Sequence, residues 1–259
     1  MSYSKDVKIK ALVAVRSGSQ RVVNKNIRPF AGSFLLEIKL NQLKRTPDID
    51  GIVVNSNDDK MLEIANNMGC ETVKRDEYYA SSYVLMSDVY KNMAEHIDAD
   101  VIVYINVTNP LLHDETIIKA IEEYKNNLEV YDSLNSTHLI KEFMFKENLP
   151  INYDLRNQPR SQDLPDIAAL NFAINIISRE KMIECKNVVG YKANIYIIEE
   201  IEATDIDNQI DFDLRSLFIR DGILKCNSVF YIDSKILNGR TLNEYICENV
   251  SLANEFDNE

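Results

Sequence analysis

The chain has 259 residues, 45% of them apolar and 27% charged, and its 29 Lys and Arg against 41 Asp and Glu give a net charge of −12. That length suffices for one large core with a small accessory element, in proportions ordinary for a soluble globular protein. An acidic chain without a broad basic face is not expected to bind nucleic acid, and its apolar runs are too short to cross a bilayer.

Met1–Asp6 carries no apolar signal region, so a cytoplasmic location is expected. Cys70, Cys185, Cys226 and Cys247 lie far apart without CxxC spacing, which favours free thiols over disulfides or a zinc site. The apolar run from Ala11 to Val15 reads as a buried strand that stops at Arg16. In the loop that follows, Arg16, Arg21 and Lys25 place permanent positive charge around Gly18. Glycine lets the backbone turn its N–H groups toward an anion, and guanidinium and ammonium groups strengthen such a site. Two readings fit: a polyphosphate cradle, or a solvated basic turn. The loop is neither a P-loop nor a Gly-x-Gly-x-x-Gly turn.

Next, Ser33 is placed as the cap of a helix carrying Leu36, Leu40 and Leu43 on one stripe. Gly51–Val54 reads as a second strand. A helix with Met61, Ile64, Ala65 and Met68 on one face then ends at Gly69. Thr72–Lys74 is a third strand, 84–97 a helix, and Val101–Ile105 an uninterrupted apolar strand suited to the middle of a parallel sheet. A helix from Asp114 shows Ile117, Ile121, Tyr124 and Leu128 at helical spacing. This alternation predicts a doubly wound α/β fold with a mostly parallel, mixed sheet, whose ligands sit at the carboxyl ends of strands, where the Arg16 loop falls.

From about 134 to 170 the pattern lapses around Pro150, Pro159 and Pro165, marking a functional or interface region. Strand signals return at Phe172–Ile177 and Ala193–Ile198, with a helix at Arg179–Cys185 between them. Asp205 and Asp207 follow, placed between a strand and a helix. Carboxylates at i and i+2 can face one oxygen-liganded cation, or Asp can simply cap the helix. Past 222 only Val229–Ile232 reads as a strand, and Asn254–Glu259 is expected to fray. The expectation is one domain over 1–221, the irregular region about 134–170 inserted within it, and an extension over 222–259 of unassigned role.

The loop Arg16-Ser17-Gly18-Ser19-x-Arg21-Val22-x-x-Lys25-Asn26-Ile27 resembles the signature of the cytidylyltransferases that activate acidic keto sugars: the CMP-sialic, CMP-legionaminic, CMP-pseudaminic and CMP-KDO synthetases. Gln20 stands where that family usually has Lys, and Val23 where it has Pro. The segment Asp205-Ile206-Asp207-Asn208-Gln209-Ile210-Asp211-Phe212 resembles its Asp-x-Asp-x-x-x-Asp-Phe/Leu. Asn106–Leu111 is similar to its Leu-Gln-Pro-Thr-Ser-Pro-Leu turn, and His138-Leu139-Ile140-Lys141 to its His-Pro-x-Lys. Gln158–Pro165 is similar to its Gln-Pro-Arg-x-x-Leu-Pro, and Asn171-Phe172-Ala173-Ile174 to its Asn-Gly-Ala-Ile.

The resemblance covers roughly Lys8 to Arg220. It implies a Rossmann-like nucleotidyltransferase with a protruding dimerisation region, working as a homodimer on CTP and an acidic sugar, with Mg²⁺ held by Asp205 and Asp207. It places the nucleotide on Arg16, Gly18, Ser19, Gln20, Arg21 and Lys25, with Asn26, Arg75 and Ser87 toward the cytosine. The acceptor falls to Asn106, Lys141, Arg160, Asn171 and Phe172, and Arg16, Lys25 and Asp207 are the residues expected to carry the transfer. Phe172, in place of Gly, is expected to reshape the sugar pocket. The product would be a CMP-sugar for lipopolysaccharide or capsule synthesis. Three other readings stay open: the same fold acting on another acceptor, a weakly catalytic nucleotide-binding protein (because of Gln20 and Val23), and a non-enzymatic assembly subunit.

Overall fold

The alternation becomes a seven-stranded sheet in the computed structural model, which describes residues 7–19 and 21–220. Gln20 lies outside the described residues. So do Met1–Asp6, Cys226, Cys247, the expected strand Val229–Ile232 and the whole 222–259 extension.

The chain runs β1 (Ile9–Ala14), α1 (Leu35–Lys44), β2 (Gly51–Ser56), α2 (Asp59–Asn67), β3 (Glu71–Lys74), α3 (Glu77–Ala80), α4 (Met86–Glu95), β4 (Val101–Ile105) and α5 (Asp114–Asn126). These four strands pair in parallel, in the order β3-β2-β1-β4. Helices cover both faces, as a doubly wound sheet requires. Leu36 and Leu40 of α1 and Ile117 and Ile121 of α5 pack on one side. Val89 and Met93 of α4 pack on the other. Each such side chain contributes about 1.5–3 kcal/mol by leaving water. Two local expectations need correction. Ser33 does not cap α1: its hydroxyl bonds Glu37, and the first helical turn has Phe34 at the cap position without a side-chain bond. Leu128 lies beyond the end of α5 and is exposed.

The second half is more regular than its sequence. After β5 (Ser133–Ile140) comes an arm with a small hairpin, β6 (Phe145–Lys146) and β7 (Leu149–Pro150), and then β8 (Ile167–Ser178). β5 and β8 are full members of the sheet, so the expected lapse over 134–170 is confined to the arm between them. A buried polar ladder explains why the pattern failed. Ser133, Asn135, Ser136 and Asn175 are wholly buried, and Asn135 Nδ2 donates to Asn175 Oδ1 at 2.9 Å. Such residues read as loop, yet each finds a partner across the pair. β8 runs antiparallel to β4 and β5, which makes the sheet mixed.

α6 (Arg179–Cys185) follows, then β9 (Ala193–Ile197) parallel to β5, a short α7 (Glu200–Ala203) and α8 (Gln209–Arg220). The aspartate segment therefore follows α7 and not a strand. Ile105 at the end of β4 pairs with Ile174, so residues 167–173 extend past the carboxyl end of β4, at the end of the sheet from which the Arg16 loop leaves β1.

Candidate active site

The loop after β1 is built by its own residues. Val15 N–H donates to Asn55 O at 3.1 Å, which keeps the chain on the sheet up to Arg16. Gly18 turns with φ +79°, and a Cβ there would meet nothing within 4 Å, so backbone conformation and not space selects glycine. Ser17 N–H donates to Asn57 Oδ1, and Asn57 Nδ2 returns a bond to Ser17 Oγ at 2.8 Å. Asn26 is buried with its Nδ2 toward Arg16 O, so it holds the loop in shape from behind. Arg16 itself is exposed, its Nη1 donating to Ala80 O at 2.6 Å.

Lys25 ties this loop to the aspartate segment, donating from Nζ to Ile206 O at 2.6 Å across 181 positions of sequence. Burial lowers its pKa, with Asp205 and Asp207 opposing that shift. Arg21 Nη2 lies 3.0 Å from Asp207 Oδ1 with both side chains substantially exposed. An exposed pair of this kind contributes about 0–1 kcal/mol, so both partners are available to a ligand.

Capping α8 falls to neighbours of these aspartates. Asn208 Oδ1 accepts from Asp211 N–H at 2.9 Å, and Asp211 Oδ2 accepts from Asn208 and Asp207 N–H. This reciprocal box satisfies the helix start without Asp205 or Asp207. Asp205 Oδ1 is buried with no hydrogen-bond partner among the described residues. Burial raises its pKa, Asp207 adds to the rise, and the Thr108 hydroxyl opposes it. A buried carboxylate oxygen without a donor, two residues from a second carboxylate, fits a hard, oxygen-seeking cation. Among the described residues no cluster of three or more His, Cys, Asp or Glu is placed to hold a metal unaided. Mg²⁺ commonly takes one or two carboxylates and completes its shell with water and substrate phosphates.

Three cavities lie side by side around these groups. One of about 330 Å³ is largely apolar, walled by Val15, Val89, Met93 and Tyr104, with Arg16 and Arg75 at its polar side. Arg75 is buried and fixed, donating from Nε to Asn55 Oδ1 and from Nη2 to Asn55 O; burial lowers its pKa. The next, about 360 Å³, is lined by Arg16, Ser19, Arg21, Lys25, Ser82 and Asp207. A third, about 530 Å³, shares Asp207 and adds Asp205, Asp211, Glu200, His138, Asn171 and Phe172. The arrangement offers an apolar slot, a cationic centre and an acidic bay, in that order.

Several expected residues sit elsewhere. Ser82 borders the first two cavities, whereas Ser87 lines none of the three; the signal for it was the Ser81-Ser82 pair between two apolar stretches. Asn106 is half-buried outside all three. Lys141 on the arm donates to Leu164 O and pairs with Asp166, and Arg160 is exposed and paired with Asp163. Asn171 and Phe172 do reach the acidic bay. Asn171 Oδ1 accepts from Ala173 N–H at 3.1 Å, leaving its buried Nδ2 without a partner among the described residues. Thr108 and the Ile206 carbonyl had no sequence signal of their own; they act through Asp205 and Lys25.

Residues 10–221 match the profile of the family described as Cytidylyltransferase. Post-translational flagellin modification protein B of Campylobacter coli is 23% identical over 220 residues, covering 81% of this chain and 94% of that one. N-acylneuraminate cytidylyltransferase A of Danio rerio is 26% identical over 213 residues, covering 79% of this chain but only 49% of the relative. The fold matches a solved CMP:2-keto-3-deoxy-manno-octonic acid synthetase complexed with CTP, with a TM-score of 0.59 at 9% identity over 83% of this chain and 99% of that one.

Proposed function

This chain belongs to the cytidylyltransferase family, and on that premise we propose that it joins CTP to an acidic keto sugar, giving a CMP-sugar and pyrophosphate for surface-glycan synthesis. The observation that carries the reading is the shared position of Asp207 between a cavity lined by Arg16, Arg21 and Lys25 and a bay holding Asp205. The base enters the apolar slot beside Arg75, the triphosphate lies on the cations, and the sugar occupies the bay. A hydroxyl of the sugar attacks the α-phosphorus, a new P–O bond forms, the α–β bridging bond breaks, and pyrophosphate leaves with its charge held by Arg16, Arg21 and Lys25. The hydroxyl proton passes to solvent. Such a transfer needs positioning and charge neutralisation more than covalent help. Asp205 and Asp207 would hold a Mg²⁺, which when bound offsets phosphate charge and acidifies a bound hydroxyl.

The acidic bay has no Lys or Arg among its described lining residues. An acidic sugar therefore needs cations from outside it, and Lys141 and Arg160 on the arm are the candidates. Neither lines the bay of its own chain, and the arm of a second copy would supply them. The arm exposes Phe145, Leu149, Ile151 and Leu155, an apolar surface that a homodimer would cover. We place the reaction in the cytoplasm, where CTP is supplied.

The test is pyrophosphate release with CTP, UTP, ATP and GTP against N-acetylneuraminic, legionaminic, pseudaminic and 2-keto-3-deoxy-manno-octonic acids. Release with CTP and at least one acid supports the reading. Release with another nucleotide alone, or with none, overturns it.

A further inference from the structure

The segment that leads into Asp205 and Asp207 is held by the connection between β4 and α5, and the hold centres on Asn109. α7 has four residues and ends at Ala203, after which Thr204 is extended with φ −63° and ψ 121°. A helix end leaves carbonyls without intrahelical partners. Asn109 Nδ2 donates to two of them, Ala203 O at 3.2 Å and Thr204 O at 3.1 Å. One residue earlier, Thr108 O accepts from Ile206 N–H at 2.9 Å, and the Thr108 side chain hydrogen-bonds Asp205. At the other end of the connection, buried Glu202 accepts at Oε1 from His113 N–H at 2.8 Å and from Thr116 Oγ1 at 2.7 Å. With Lys25 on the Ile206 carbonyl, each residue from Glu202 to Ile206 is bonded to another part of the fold.

Asn109 is itself fixed from behind. It is wholly buried, and its backbone carbonyl accepts at 3.1 Å from Nζ of Lys39, an equally buried lysine of α1 that also donates to Gln42 Oε1. Its own Oδ1 is buried without a hydrogen-bond partner among the described residues. An unpaired buried acceptor is costly, and turning the amide over would set Oδ1 against two carbonyl oxygens. The side chain is therefore placed for its two donated bonds and not for its own satisfaction. Asn109 lines none of the three cavities, so whatever it does for a ligand passes through the segment it holds. Resting on the function proposed above, we propose that Asn109 is a positioning residue: its amide, backed by Lys39, fixes the Ala203 and Thr204 carbonyls so that Asp205 and Asp207 stand at the cation site before a cation arrives. Groups that orient a metal's ligands in this way typically change its affinity by about 10–100-fold.

The experiment compares Asn109→Ala and Asn109→Ser with the wild type, and takes Asp205→Asn as the reference for a lost ligand. Cation affinity is read without turnover, from the water-proton relaxation enhancement of Mn²⁺ on the protein with CTP and no acid. Asn109→Ala should weaken Mn²⁺ at least about tenfold, and Asn109→Ser, which keeps one donor, should fall between it and the wild type. The Mg²⁺ needed for half-maximal pyrophosphate release should rise by a similar factor, with kcat recovering toward the wild type at saturating Mg²⁺. A folded variant that melts earlier yet holds Mn²⁺ as the wild type does makes Asn109 a packing residue and overturns the proposal. Where neither variant folds, hydrogen exchange of the wild type decides. Residues 203–207 should be protected without cation and change little on adding Mg²⁺ and CTP; a segment that exchanges freely until the cation binds overturns the proposal. Loss of Mn²⁺ in both Asn109→Ala and Asp205→Asn, in a protein that transfers CMP to no acid, supports this role and overturns only the reaction proposed above. Mn²⁺ held equally by Asp205→Asn overturns the cation site and this role together.

Discussion

At the scale of single residues, Arg16 and Asp205 separate function from folding most cleanly. Arg16 follows β1, is exposed, and its guanidinium donates to the Ala80 carbonyl. Arg16→Ala should leave the melting temperature near that of the wild type. A charge-assisted bond to phosphate contributes about 1.5–3 kcal/mol, so kcat/KM for CTP should fall at least about tenfold, measured by pyrophosphate release. Asp205 behaves differently. Burial is the main cause of its raised pKa, so ionising it costs more in the folded chain than in the unfolded one. The folded state is therefore favoured at pH below the unfolded value of about 3.9, loses ground as pH rises through the raised folded value, and carries the full penalty at neutral pH. Asp205→Asn removes that penalty. Melting curves without metal or nucleotide should show the variant more stable than the wild type at pH 7.5, with the gain vanishing near pH 3.5, while turnover is largely lost. Equal stability at both pH values would deny the buried charge. Much of this residue chemistry was legible beforehand. The cations around Gly18 and the spacing of Asp205 and Asp207 are sequence facts. Thr108 and the Ile206 carbonyl were not legible, because their roles come from contacts 97 and 181 positions away, and Ser82, marked only by a bare serine pair, takes its role from a cavity wall.

At the scale of elements, the start of α8 bears on two readings that the sequence pattern alone left even, a cation site or a helix cap. Asn208 and Asp211 make the cap, so the paired aspartates before it have no capping duty. Asn208→Ala should therefore cost about 0.5–2 kcal/mol of stability by denaturant unfolding. Asp207→Asn should leave stability nearly unchanged and impair turnover severely. The reverse pattern would return Asp207 to the role of a helix cap. Strands β1, β2 and β4 were plain in the sequence because their residues are apolar and buried on both faces. β5 was hidden, since Ser133, Asn135, Ser136 and Thr137 are buried there as polar residues with partners on the neighbouring strands. Hydrophobic periodicity cannot register a strand whose interior is amides and hydroxyls. The register shift between Asn135 and Thr137 in the β5–β8 ladder was equally invisible, being a property of pairing.

At the scale of the whole molecule, the arm between β5 and β8 carries the expectation of a homodimer. Its Phe145, Leu149, Ile151 and Leu155 are exposed. Phe145→Asp with Leu149→Asp should turn a dimer into monomers by light scattering at micromolar concentration, and should raise the acceptor KM more than the KM for CTP if the partner's arm completes the sugar site. A monomeric wild type would rule this out. The central claim, that the cationic loop and the paired aspartates together move CMP from CTP to an acidic keto sugar, is tested most directly by phosphorus NMR of the protein with CTP, Mg²⁺ and the acids named above. The account predicts a CMP phosphodiester resonance and pyrophosphate appearing in equal amounts with at least one acid, and neither with Asp205→Asn. CTP left intact with every acid, or orthophosphate released in place of pyrophosphate, would contradict it.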